Sequence, residues 1–152
     1  MAGIVRYGTY VPFFRLTRAA IGGGRGERAA ASYDEDSVSM AVEASRDALA
    51  AMPDGHSIDR LIFATTSPPY VEKLDAATVH AALDLPKAVE AVDVGGSSRA
   101  GLSSLLLALD LGEAGRTSLV ASADVVVGAP SGPRESGGPA GVAKREAGAP
   151  RE

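Results

Sequence analysis

Asp93-Val94-Gly95-Gly96-Ser97-Ser98-Arg99-Ala100-Gly101-Leu102, continuing as Ser103-Ser104-Leu105-Leu106-Leu107-Ala108-Leu109, is the stretch that decides the fold. The Gly-Gly-Ser-Ser turn divides a strand-like run, Ala88 to Val94, from a helix spanning Arg99 to Leu111. Between Ala100 and Leu109 that helix carries no charge and is apolar or small almost all round. Such a helix is expected to be buried on every side. An outer helix on a small open sheet would show a polar face. The pattern therefore calls for a layer above this helix that the rest of the chain does not supply.

Working outward, Leu61 to Thr66 (LIFATT) is a continuous apolar run, as in a strand covered on both faces. Thr117 to Ala123 reads as another strand. Asp34 to Met52 has helical spacing, with Val38, Ala41, Val42, Ser45, Leu49 and Met52 on one face. Asp34 or Asp36 can cap it, and acidic residues suit its first turn. Pro53-Asp54-Gly55 ends it. Asp75 to Leu83 is a shorter helix, closed by Leu85-Pro86. Gly3 to Val11 (GIVRYGTYV) reads as the first strand, stopped at Pro12. Phe13 to Ala31, with Gly22-Gly23-Gly24-Arg25-Gly26, reads as a mobile loop. Its glycines lack the spacing of a phosphate loop. The order β-α-β-α-β-α-β predicts an α/β fold with a mainly parallel sheet and a buried central helix.

Composition sets further bounds. The 152 residues hold 15 Lys+Arg against 19 Asp+Glu and no cysteine. The mild acidity gives no basic patch for nucleic acid. Without cysteine there is no disulfide, no Cys-type zinc site and no thiolate nucleophile. The N-terminus lacks the pattern of a signal peptide. The longest uncharged stretches, Leu61 to Val71 and Ala100 to Leu109, are too short to span a bilayer. A cytoplasmic location without membrane contact is the expectation. From Ala129 to Glu152 the only large aliphatic residue is Val142, among five glycines, four prolines and seven charged residues. That stretch cannot bury enough apolar surface to offset its ordering entropy. The expected organisation is a half-domain over 1–128 and a disordered tail over 129–152.

Four stretches carry a family likeness. Gly3 to Pro12 resembles the opening strand of hydroxymethylglutaryl-CoA synthases. Tyr33-Asp34-Glu35-Asp36-Ser37-Val38 resembles the start of their first helix. Asp93 to Gly101 (DVGGSSRAG) resembles their nucleophile turn. Ala123-Asp124 with Gly128-Ala129-Pro130 resembles the strand and loop that follow. The likeness runs over about Met1 to Ser131 and extends to chain-initiating ketoacyl-carrier-protein synthases and thiolases. It implies the first of two βαβαβαβ halves, with the central helices buried between two sheets.

The resemblance also implies a chemistry: acyl transfer from a thioester to an enzyme cysteine, followed by carbon–carbon bond formation. A helix N-terminus lowers the thiol pKa and favours anionic intermediates. Ser98 stands at the position of that cysteine, and Thr66 at that of the glutamate acid/base. A serine needs an adjacent general base, and threonine cannot move that proton at neutral pH. The plain reading of Ser97 and Ser98 is an N-cap or turn residue. Glu72 reads as a solvated loop carboxylate, Tyr70 as a packed ring and His80 as a packed or surface helix residue. The other histidine, His56, falls in the turn after Pro53. No His/Asp/Glu cluster has metal-ligand spacing, and no bound cofactor is expected.

The expected function is a thiolase-like acyltransferase by descent that is not catalytically competent as this chain. The alternatives are a non-catalytic acyl-CoA-binding or assembly partner of another thiolase-like subunit, or a fragment without independent function. Acyl-CoA or an acyl-carrier thioester is the expected small-molecule partner. Uncovering the apolar helix predicts self-association, with a homodimer pairing two copies of it.

Overall fold

The structure is a computed structural model that describes residues 2–21, 24–50, 52 and 57–127. One compact unit comprises residues up to Arg15 and Ala29–Val125; the described part of the other is 16–21, 24–28 and 126–127. The elements are β1 (Phe14–Thr17), β2 (Glu27–Ala30), α1 (Ser37–Ala50), β3 (Arg60–Ala64), α2 (Asp75–Ala82), β4 (Glu90–Val94), α3 (Ala100–Glu113) and β5 (Ser118–Ser122). A 3-10 turn, Arg18–Ile21, follows β1.

The central sheet is parallel, in the order β4-β3-β5. β3 lies in the middle and is covered on both faces, which accounts for its unbroken apolar run. Leu61, Ile62, Phe63 and Ala64 are all fully buried. Val38, Ala41 and Val42 of α1, Ala76 and Val79 of α2, and Ala121 of β5 complete the core around Leu61 and Phe63. The α1 face matches the helical spacing, with Leu49 and Met52 half-buried at its end. Asp36 is the cap. Its Oδ1 accepts the Ser39 N–H at 2.7 Å, while Ser39 Oγ accepts the Asp36 N–H at 2.8 Å. This reciprocal pair satisfies a helix-end donor that would otherwise be orphaned.

Three expectations are corrected. First, Gly3 to Val11 is not a strand of the sheet. It joins no strand ladder among the described residues and is held by side chains: the Ala2 N–H donates to Glu113 (2.7 Å) and the Thr9 N–H to Asp47 Oδ2 (3.0 Å). Gly8 lies so close to α1 that a Cβ there would stand 2.3 Å from the Ala44 carbonyl oxygen. Its Val, Ile and Tyr content favours β structure, but no described strand lies beside it to complete a ladder. Second, Phe13 to Ala31 holds the β1–β2 pair rather than an unstructured loop. The Arg18 N–H donates to the Gly26 carbonyl at 2.9 Å, closing the hairpin loop; Gly22 and Gly23 lie outside the described residues. Third, α3 is not buried on every side. Ala100 and Ser104 face inward, while Leu102 (51%), Leu106 (55%) and Leu107 (40%) are exposed. The sheet covers one side of this helix, and no described layer covers the other. The predicted break at 53–55, His56 and the expected tail over 129–152 lie outside the described residues.

Candidate functional site

The carboxyl ends of β3, β4 and β5 share one edge of the sheet, the edge where open α/β sheets gather functional groups. β3 runs on into Thr65-Thr66-Ser67, β4 into Gly95-Gly96-Ser97-Ser98 and β5 into Ala123-Asp124-Val125. These loops are tied together. Asp124 Oδ1 accepts from the Thr66 N–H (2.5 Å), the Thr66 hydroxyl (2.9 Å) and the Thr65 hydroxyl (3.2 Å). Ser67 Oγ accepts the Val125 N–H at 2.8 Å, and the Ser37 hydroxyl donates to the Ser67 carbonyl at 2.8 Å. The Thr65 N–H donates to the Val94 carbonyl at 3.1 Å. Gly95 then passes so near the Thr65 carbonyl oxygen that a Cβ would approach it to 3.2 Å. Gly96 follows in the left-handed region, φ 78°, turning the chain toward α3.

Ser98 sits exposed in this turn, just before α3. Its hydroxyl has no hydrogen-bond partner among the described residues. Ser97 closes the turn: its Oγ accepts the Arg99 N–H (3.2 Å), and its carbonyl accepts the Ala100 N–H (2.9 Å). Arg99 is the N-cap residue and offers no side-chain cap. Ser98 and Thr66 thus lie on the same edge of the sheet without a hydrogen bond between them. Thr66 is committed to Asp124, an anchoring role that its residue type alone does not disclose.

The other candidates stand apart from this turn. His80 is half-buried on α2, its Nε2 3.2 Å from the Pro86 carbonyl oxygen. Tyr70 is exposed, with Lys73 Nζ 4.6 Å from its ring centroid, a cation–π contact. Glu72 is exposed. Among the described residues no group of three His, Cys, Asp or Glu could hold a metal ion.

Two carboxylates that sequence reading missed organise the start of α2. Asp93 of β4 accepts the N–H groups of Asp75 and Ala76, both at 2.7 Å. It caps α2 from outside, where Leu74 at the N-cap position cannot. Asp75 is 1% exposed, and its Oδ1 is buried without a partner. Burial first, and the Asp93 charge second, hold its carboxyl above the usual carboxylate range, against a smaller opposing pull from Lys73. An acidic residue opening a predicted helix was legible; its neighbour across the sheet was not, because strand order is not written in local pattern.

No family model matches the chain. It is 34% identical over 146 residues to the hydroxymethylglutaryl-CoA synthase of Methanocaldococcus jannaschii, covering 86% of this chain and 42% of that protein. The β-ketoacyl-[acyl carrier protein] synthase III of Thermus thermophilus superposes with a TM-score of 0.68 at 29% identity, over 81% of this chain and 43% of that one. MvaS, in complex with 3-hydroxy-3-methylglutaryl coenzyme A, superposes with a TM-score of 0.74 at 21% identity, over 89% and 37% respectively. The chain spans less than half the length of the curated relatives it matches. On sequence and on fold together, this chain is hydroxymethylglutaryl-CoA synthase-like over most of its length and has a thiolase-like fold.

Proposed function

We propose that the chain is a thiolase-like module that holds an acyl thioester, as acyl-CoA or on an acyl carrier, without condensing it by itself. The site is the turn before α3, with Ser98 at the nucleophile position of the family and Thr66 at its acid/base position. The observation that carries this reading is the isolation of Ser98. Its hydroxyl has no base within hydrogen-bond reach among the described residues, and a serine without one is a poor nucleophile. Thr66 brings no carboxylate, and Asp124, the nearest one bonded there, already accepts three hydrogen bonds. MvaS holds a CoA thioester on this fold, which supports the ligand class.

The test is acylation by acetyl-CoA, read as intact protein mass, with binding followed separately by calorimetry. The wild type and Ser98→Ala should bind acetyl-CoA and stay unmodified. Ser98→Cys should become acylated, because a thiol at a helix N-terminus ionises more readily. Acylation of the wild type at Ser98, or no binding by any of the three, contradicts the reading.

A second reading, an assembly role beside another thiolase-like subunit in the cytoplasm, is favoured by the exposed Leu102, Leu106 and Leu107 face of α3. It predicts self-association of the isolated chain. A monomer at all concentrations in sedimentation would contradict that.

A further inference from the structure

We propose that the first turn of α2 is a pH-operated latch. With the Asp75 carboxyl neutral, the turn stays seated on Asp93. With it ionised, residues 68–77 come away from the end of β4 while the sheet and the rest of α2 stay in place.

The seat has few parts. Asp93, two residues before the glycine turn, takes the Asp75 N–H on Oδ2 and the Ala76 N–H on Oδ1, both at 2.7 Å. Leu74 gives the helix no side-chain cap, so these two bonds hold its first donors. The apolar contribution of the turn is small. Of residues 74–77 only Asp75 and Ala76 are buried, and Leu74 is 45% exposed. The helix is only eight residues long, too short to persist without its tertiary contacts.

Asp75 is the weak point of that seat. Its side chain is enclosed by protein, and Oδ1 finds no donor there. A neutral carboxyl tolerates this; a buried carboxylate needs donors or a counter-charge. The charged groups around it are Asp93 on β4, Asp36 just before α1 and Lys73 two residues back, and the first two repel a negative charge. Lys73 lies against the face of Tyr70, 4.6 Å from its ring centroid. Ionisation is therefore met by moving the Asp75 side chain to water. Asp75 also supplies one of the two N–H groups held by Asp93, so that movement pulls on the seat itself.

The surroundings set the limits of the opening. Ser67 is fixed twice: its carbonyl accepts the Ser37 hydroxyl and its Oγ accepts the Val125 N–H, both at 2.8 Å. Pro68 to Lys73 is exposed throughout, and no hydrogen bond joins it to the rest of the chain among the described residues. At the other end Val79 is fully buried in the core with Leu61 and Phe63. The moving piece is bounded by Ser67 and Val79.

The test follows amide exchange in the full chain as pH is raised from about 4, each rate being divided by the unstructured-chain rate at the same pH. Opening releases one proton. Protection of the Asp75 and Ala76 amides should fall by about tenfold per pH unit between the ordinary aspartate range and the raised one, then level off. The amides of Ile62, Phe63 and Thr66 should hold steady. Asp75→Asn, neutral at every pH, should remove the fall. Lys73→Gln, at an exposed position, should carry the fall to higher pH, because the opposing pull is gone. Steady protection at Asp75 and Ala76, a fall shared equally by Ile62 and Phe63, or a fall that survives in Asp75→Asn overturns the latch. If Asp75→Asn does not fold, the Lys73→Gln profile decides, and one identical with the wild type overturns it.

Discussion

Asp75 and Asp93 set the local energetics at the start of α2. Asp93 caps two backbone donors with one side chain, so Asp93→Ala should cost about 1–2 kcal/mol in urea unfolding. The same substitution removes the like charge beside Asp75 and should bring that carboxyl back toward its ordinary range. Asp75 itself makes stability depend on pH. Its folded-state pKa lies above the unfolded value, so the native state favours the protonated form. This contribution is fully present below the ordinary aspartate pKa and is lost as pH rises through the raised one. Asp75→Asn should therefore flatten the thermal-melting profile above about pH 4 and stabilise the protein at neutral pH. A variant whose profile parallels the wild type would show that Asp75 titrates normally. At the turn before α3 the decisive fact is again a single side chain: Ser98 is exposed and, among the described residues, has no base within hydrogen-bond reach.

At the scale of elements, what was legible followed local physics. β3 announced itself through a run that is apolar because packing buries both of its faces. α1 was legible from spacing and from Asp36, and α2, β4 and β5 lie within a residue or two of their predicted spans. The segment 3–11 was misread because β propensity describes a surface ready to pair, not the presence of a neighbour. Its position is set by Gly8 against α1 instead. Gly8→Ala should cost about 1–3 kcal/mol by driving a methyl group into the Ala44 carbonyl, with the loss seen first as faster exchange of the Thr9 amide. The β1–β2 pair escaped notice because glycine-rich composition hides a hairpin whose order comes from backbone pairing. α3 was legible as an apolar helix, and its exposed leucines now define a surface. Leu102→Lys with Leu106→Lys should abolish self-association while leaving the melting temperature nearly unchanged, since both side chains already face outward. Of the proposed site, Ser98 and Thr66 are read from their position in a motif. The hydrogen bonds from Asp124 that fix Thr66 join residues far apart in sequence and could not be read there.

For the whole molecule, the fold is thiolase-like and the sequence is hydroxymethylglutaryl-CoA synthase-like. The chain covers less than half of those relatives. It has a glycine turn leading into a helix, on the carboxyl edge of a parallel sheet, and the proposed function puts Ser98 and Thr66 at the family's nucleophile and acid/base positions. On the proposed function, this arrangement receives a thioester but does not accept its acyl group. The decisive measurement is intact mass spectrometry of the full chain after incubation with acetyl-CoA. An unmodified wild-type chain beside an acylated Ser98→Cys variant is the expected result. A covalent acyl adduct on wild-type Ser98 would contradict it.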